Sequence, residues 1–138
     1  MPWHTARGPI VGLGGAVAIL AGALGKIARD VSLAMQFEVG ELAEPGGAGR
    51  GGSSTMPHKR NPMASMIALA AAARTPGLQS TLLHAMVQEQ QRAVGAWQAE
   101  LPTMSTLLET THAALLAMIE VVECLVVDAA AMRASSSA

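Results

Sequence analysis

Two stretches of this chain carry apolar residues at alternating spacings of four and three. The first is Leu13, Val17, Leu20, Leu24, Ile27, Val31 and Ala34. The second is Met104, Leu108, Thr111, Leu115, Met118, Val122 and Leu125. Such a repeat puts one continuous stripe on each of two long helices, the seam expected when helices pack lengthwise. The first helix is predicted to open with Pro9 in its first turn and to run to about Leu42. The second is predicted to begin near Trp97 or Pro102. Ala, Leu and Met dominate, tyrosine is absent and aromatic residues make up 2% of the chain. Few residues favour strands, so the fold class is all-α, a long-helix bundle.

Between the stripes, residues 43–61 break every periodicity with five glycines and two prolines. They are predicted to form a long loop. Asn61 as N-cap and Pro62 as first helical residue would start the next helix. Thr75-Pro76-Gly77 is expected to interrupt it. A further helical stretch covers residues 78–92, and Ala93-Val94-Gly95 marks a bend. The chain divides into residues 1–97, carrying the loop, and residues 98–138, the final long helix and tail. Ile19, Ile119 and Val126 are apolar but lie off the stripes. The bundle therefore needs further helices, from elsewhere in a longer chain or from other subunits.

The net charge is −1. No global field draws the protein to nucleic acid or an anionic membrane, and no nucleic-acid motif is present. The apolar run of residues 10–25 is shorter than the ~20 residues needed to span a bilayer and is closed by Lys26, Arg29 and Asp30. A buried bundle helix is the reading taken. Cys124, the one cysteine, lies in an apolar run and is expected to be a buried structural thiol. No disulfide within the chain is possible, no pair of histidines has metal-ligand spacing, and a reducing cytoplasm fits.

The loop holds the densest polar chemistry in the chain, GGSSTMPHKRNP at residues 51–62. Gly51 and Gly52 free the backbone, and Ser53 and Ser54 offer hydroxyls. Lys59 supplies positive charge, to which Arg50 and Arg60 add. The following helix start leaves N–H groups without partners. Together these would hold a carboxylate or phosphate, beside a serine able to act as base or nucleophile. On composition alone a glycine-rich connector with solvated charges is the more ordinary reading.

Residues 52–62, GSSTMPHKRNP, resemble the signature of the fumarase/aspartase superfamily, G-S-S-x-M-P-x-K-x-N-P. Every defined position matches: Gly52, Ser53, Ser54, Met56, Pro57, Lys59, Asn61 and Pro62. PWHTAR at residues 2–7, LGKIARDVSLAMQ and GAWQAE are similar to the branch that lactonises 3-carboxy-cis,cis-muconate. Adenylosuccinate lyases share the MPHKRNP form and are the nearest rival branch. The resemblance implies part of the central helical domain of a homotetramer plus C-terminal helices, with active sites shared between three subunits. Family members are several hundred residues long, so the family's N-terminal domain and catalytic histidine are absent here, and Met1 is read as an artificial or misannotated start.

The resemblance further implies that Ser53 is the general base. Lys59 and Asn61, with Ser54, bind substrate carboxylate and stabilise the intermediate, while Met56 and Pro57 shape the loop. His4 is a candidate pocket contact and Arg7 a candidate carboxylate partner. A small carboxylate is the implied substrate, with no cofactor and no metal. Alone, the chain is expected to be inactive, and a non-catalytic oligomerisation module is the competing reading. His58 is expected to bind or shape the loop rather than act as acid. His84 and His112 are read as satisfied structural histidines. Glu38, Glu41 and Glu44 are read as a solvated or ion-paired face. Glu100 and Glu109 are possible bundle-facing acids.

Overall fold

A computed structural model describes residues 5–46, 51–52, 59–89 and 93–136. Three long helices form the body: α1 (Gly8–Ala34), α2 (Met63–His84) and α3 (Ala96–Glu123). Two short strands, β1 (Leu42–Ala43) and β2 (Val126–Val127), and a final helix, α4 (Ala129–Ser135), complete the described elements. The all-α bundle expected from the stripes is what the chain adopts.

The core runs between the three helices. At one end Leu24, Ala28 and Val31 of α1 meet Ala68 and Ala71 of α2 and Ala114, Met118 and Val121 of α3. At the other, Val11, Leu82 and Leu107 converge. The start of α1 therefore lies beside the end of α2 and the start of α3. So α2 runs antiparallel to both neighbours, which run side by side. At ~1.5 Å per residue, α1 is about 40 Å long, which separates the two ends of the bundle.

The buried stripes match the predicted ones only in part, at Leu24 and Val31 of α1 and Thr111 and Met118 of α3. Leu13, Leu20 and Ile27 are largely exposed, while Val11, Gly14, Ala21, Leu24, Gly25, Ala28 and Val31 are buried. The reason is close approach. A Cβ on Gly25 would stand 2.4 Å from the Cβ of Ala72, and one on Gly14 would stand 2.6 Å from Leu82. A small-residue face lets α1 lie tight on α2, and the leucines are carried round to an open flank. In α3 the buried line is Leu107, Thr111, Ala114, Ala117, Met118 and Val121, with Leu108 and Val122 exposed. Ile19, Ile119 and Val126, expected to need partners, are all exposed.

Other boundaries shift. α1 stops at Ala34 rather than near Leu42. The chain turns through Gly40, whose φ of 62° favours glycine, and Phe37 gains no packing at 91% exposure. Pro9 does sit in the first turn of α1. α2 passes through Pro76 without the expected break. Proline forfeits one backbone bond there, but Thr75, 1% exposed, and Leu82, fully buried, hold both sides of it in the core. α3 opens where a bend was expected: Gly95 has φ 89°, and its N–H donates to Gln98 Oε1 at 2.9 Å. Cys124 is exposed at the end of α3, not buried, because the chain leaves the helix there for β2.

By length and composition α1 and α3 are each capable of crossing a membrane. The argument from a short apolar run therefore fails on length, since α1 spans 27 residues. What argues for bundle packing is that both helices press small and polar residues, among them Gly25, Glu100 and Thr111, against their neighbours.

Candidate functional site

The loop between α1 and α2 is closed at its neck by the backbone. Gly52 and Arg60 form an antiparallel bridge, and Asn61 N–H donates to the Gly51 carbonyl at 2.8 Å. Gly51 takes φ 69°, and a Cβ there would meet the Asn61 oxygen at 2.9 Å. Glycine is needed at that point on both counts. Ser53, Ser54, Met56 and His58 lie outside the described residues, as does His4.

Beneath the neck is an open cavity of about 1090 Å³. Lys59, Arg60 and Asn61 line one side, Met66, Ile67 and Leu116 form an apolar floor on α2 and α3, and two acids, Glu44 and Glu120, also stand in the wall. Lys59 and Arg60 are both exposed. An apolar floor under cationic side chains suits a small organic anion: the floor takes the carbon skeleton and the ammonium or guanidinium takes the carboxylate.

The start of α2 differs from expectation. Pro62, not Asn61, is the N-cap, and no side chain of that cap bonds the helix. Glu44 does so from across the loop. Its carboxylate accepts from Ala64 N–H at 2.9 Å, from Ser65 N–H at 2.8 Å and from Ser65 Oγ–H at 2.7 Å. Glu44 is 8% exposed, so it does not belong to a solvated face. The helix start expected to receive an external anion already holds an internal one. Sequence reasoning noticed the unpartnered N–H groups but assigned them to substrate. An acid just ahead of the glycine loop was the available signal.

Arg7 is at the other end of the bundle. Its Nε donates to Glu100 Oε2 at 2.8 Å, and its Nη2 forms an ion pair with Oε1. Arg7 does pair with a carboxylate, but with the protein's own, and Glu100 is the acid that faces the bundle. Glu109 and His112 are exposed. His84 is exposed too, with Nδ1 2.7 Å from the Ser80 carbonyl, so both histidines lie on the surface rather than in the core. The structure thus brings Lys59 and Asn61 together and leaves Arg7 about a helix length away. Among the described residues no group of His, Cys, Asp or Glu could hold a metal ion.

A profile of the lyase family matches residues 2–77. The chain belongs to the lyase family. The superfamily membership expected from the loop motif is borne out. The chain is 53% identical, over 99% of its length, to a 3-carboxy-cis,cis-muconate cycloisomerase of Bradyrhizobium diazoefficiens. It superposes with a TM-score of 0.89 on a 3-carboxy-cis,cis-muconate lactonizing enzyme from Pseudomonas putida, at 47% identity and over 98% of this chain. A fumarate lyase from Mesorhizobium sp. BNC1 gives a TM-score of 0.81 at 28% identity, over 95% of this chain and 27% of that one. The chain spans about 30% of the length of the cycloisomerase and of the lactonizing enzyme.

Proposed function

We propose that this chain is part of a cofactor-independent cycloisomerase that closes 3-carboxy-cis,cis-muconate to a carboxymuconolactone. The observation that carries the reading is 53% identity to such an enzyme across nearly the whole chain, loop included. The cavity supports it, with an apolar floor for a planar diene and Lys59 and Asn61 for its carboxylates.

One substrate carboxylate attacks a carbon of the conjugated diene. A carbon–oxygen bond forms, and the displaced π electrons move toward a neighbouring carboxylate as an aci-carboxylate. Lys59 and Asn61 hold and stabilise that charge, assisted by Ser54. Ser53 is the proton-transfer group: base in the elimination direction, donor to the adjacent carbon in lactonisation. Met56 and Pro57 shape the loop, and His4 is a pocket contact. Arg7, paired with Glu100, serves through placement unless substrate displaces that pair. Oxidation states balance without a redox partner.

The assembly in this reading is a homotetramer in the cytoplasm, serving aromatic-acid (protocatechuate) catabolism. Three subunits build each site. The distance between Arg7 and Lys59 within one chain supports such sharing, as do the exposed apolar residues of α1 and α3. In this reading residues 1–97 are the central bundle segment and residues 98–138 the remainder, which holds most of α3, then β2 and α4. Adenylosuccinate cleavage and a purely structural role are the competing outcomes. The deciding experiment assays the full-length protein that carries this chain. Loss of diene absorbance, abolished by Ser53→Ala, is expected. Fumarate release from adenylosuccinate instead, or no turnover of either, would overturn the reading.

A further inference from the structure

We infer that Glu44 is a positioning residue that sets where Lys59 and Asn61 stand over the cavity. The inference rests on the functional reading above for what those two residues do, but not for the clamp itself.

Glu44 follows β1 directly, and β1 is fixed by antiparallel pairing of Leu42 with Val127 and Ala43 with Val126. Asp128 N–H extends the ladder to the Glu41 carbonyl at 2.9 Å. The entering root of the loop is therefore tied to the chain leaving α3. The departing root is tied by Glu44 itself, whose two carboxylate oxygens take Ala64 N–H, Ser65 N–H and Ser65 Oγ–H, 20 and 21 residues downstream. Between these roots the Gly52–Arg60 bridge and the Asn61-to-Gly51 bond form the neck. Asn61 is part of the neck, three residues ahead of the clamp, and Lys59 stands next to the bridged Arg60, so the backbone positions of both depend on neck and clamp together. One carboxylate also satisfies N–H groups that the first turn of α2 would otherwise leave open. It offsets the positive end of α2. A substrate carboxylate must then bind to side chains, Lys59 first, rather than to the helix end.

The test uses the full-length protein carrying this chain, with Glu44→Ala and Glu44→Gln. Amide exchange is read at Asn61, Ala64 and Ser65, and at Ala114 and Val121 as core references. Lactonisation kinetics are read per folded molecule well below the unfolding temperature. In Glu44→Ala, exchange at Asn61, Ala64 and Ser65 is expected to rise about tenfold or more, with Ala114 and Val121 unchanged. KM is expected to rise about tenfold, because the carboxylate-binding groups are misplaced. Glu44→Gln keeps one acceptor oxygen for Ser65 but sets a donor against Ala64 N–H, so it is expected to restore protection at Ser65 and part of the protection at Asn61 and of KM, while Ala64 stays exposed to exchange. Wild-type exchange at Asn61 in Glu44→Ala overturns the inference, as does wild-type KM alongside a mere loss of thermal stability. If the unsubstituted protein does not lactonise the substrate, the functional reading fails, and exchange at Asn61 still decides the clamp.

Discussion

Arg7 and Glu100, 93 residues apart in sequence, meet through both arms of the guanidinium, Nε on Oε2 and Nη2 on Oε1. Their side chains are 17% and 6% exposed. The pair fastens the segment before α1 to the first turns of α3. Removing one partner leaves the other charge buried. Glu100→Ala is therefore expected to cost about 3 kcal/mol in urea unfolding. Arg7→Met with Glu100→Leu should recover a large part, since neither charge then remains to be paired. Equal stability of Glu100→Ala and the parent would mean that solvent reaches the guanidinium.

Gly25 and Gly22 are one helical turn apart on α1 and should respond in opposite directions. A methyl at Gly25 overlaps Ala72, and the contact is helix against helix, so neither side yields cheaply. Gly25→Ala is expected to destabilise by about 1–3 kcal/mol. Gly22 has nothing within 4 Å of a built Cβ. Gly22→Ala should stabilise by about 0.5–1 kcal/mol through helix propensity alone. Thermal unfolding of the two variants side by side checks both signs.

Gly51→Ala strains the loop neck twice, by its positive φ and by the Asn61 oxygen. The cost is expected to be about 1–2 kcal/mol and confined to the neck. The Asn61 amide should lose exchange protection, while buried amides such as Ala68 and Val121 keep theirs. Uniform loss across the bundle would show that the neck is part of the global folding unit.

Lys59→Ala should raise KM for the carboxylate substrate by about 10–100-fold, the loss of one charge-assisted hydrogen bond. Arg60→Ala should do less, since the side chain also flanks Gly46 at the loop root. Steady-state kinetics of the full-length protein separate the two. Equal effects would assign the anion to the pair rather than to Lys59.

Cys124 is exposed in this chain and should react with a thiol reagent without denaturant, one equivalent per chain. A thiol that reacts only after unfolding would place it under a neighbouring subunit.

The sequence by itself determined the existence of the long helices, the loop between them and the surplus of apolar surface. A 3.5-residue repeat can be read without knowing what it packs against, and glycine and proline end helices by their own backbone constraints. It also determined the superfamily, because the residues of GSSTMPHKRNP are contiguous. What the tertiary structure decided was which face of each helix is buried. Leu13, Leu20 and Ile27 make the stronger apolar stripe, yet close approach at Gly14 and Gly25 governs the contact with α2. The helix through Pro76 was illegible for the same reason: packing at Thr75 and Leu82 outweighs one lost hydrogen bond. The partners of Arg7 and Glu44 were not legible either, although an acid just ahead of the glycine loop was a signal for the second. Each meets a partner distant in sequence, Glu100 for one and Ala64 with Ser65 for the other. The Arg7–Glu100 pair depends on how the helices fold back on one another, and local sequence carries no record of that.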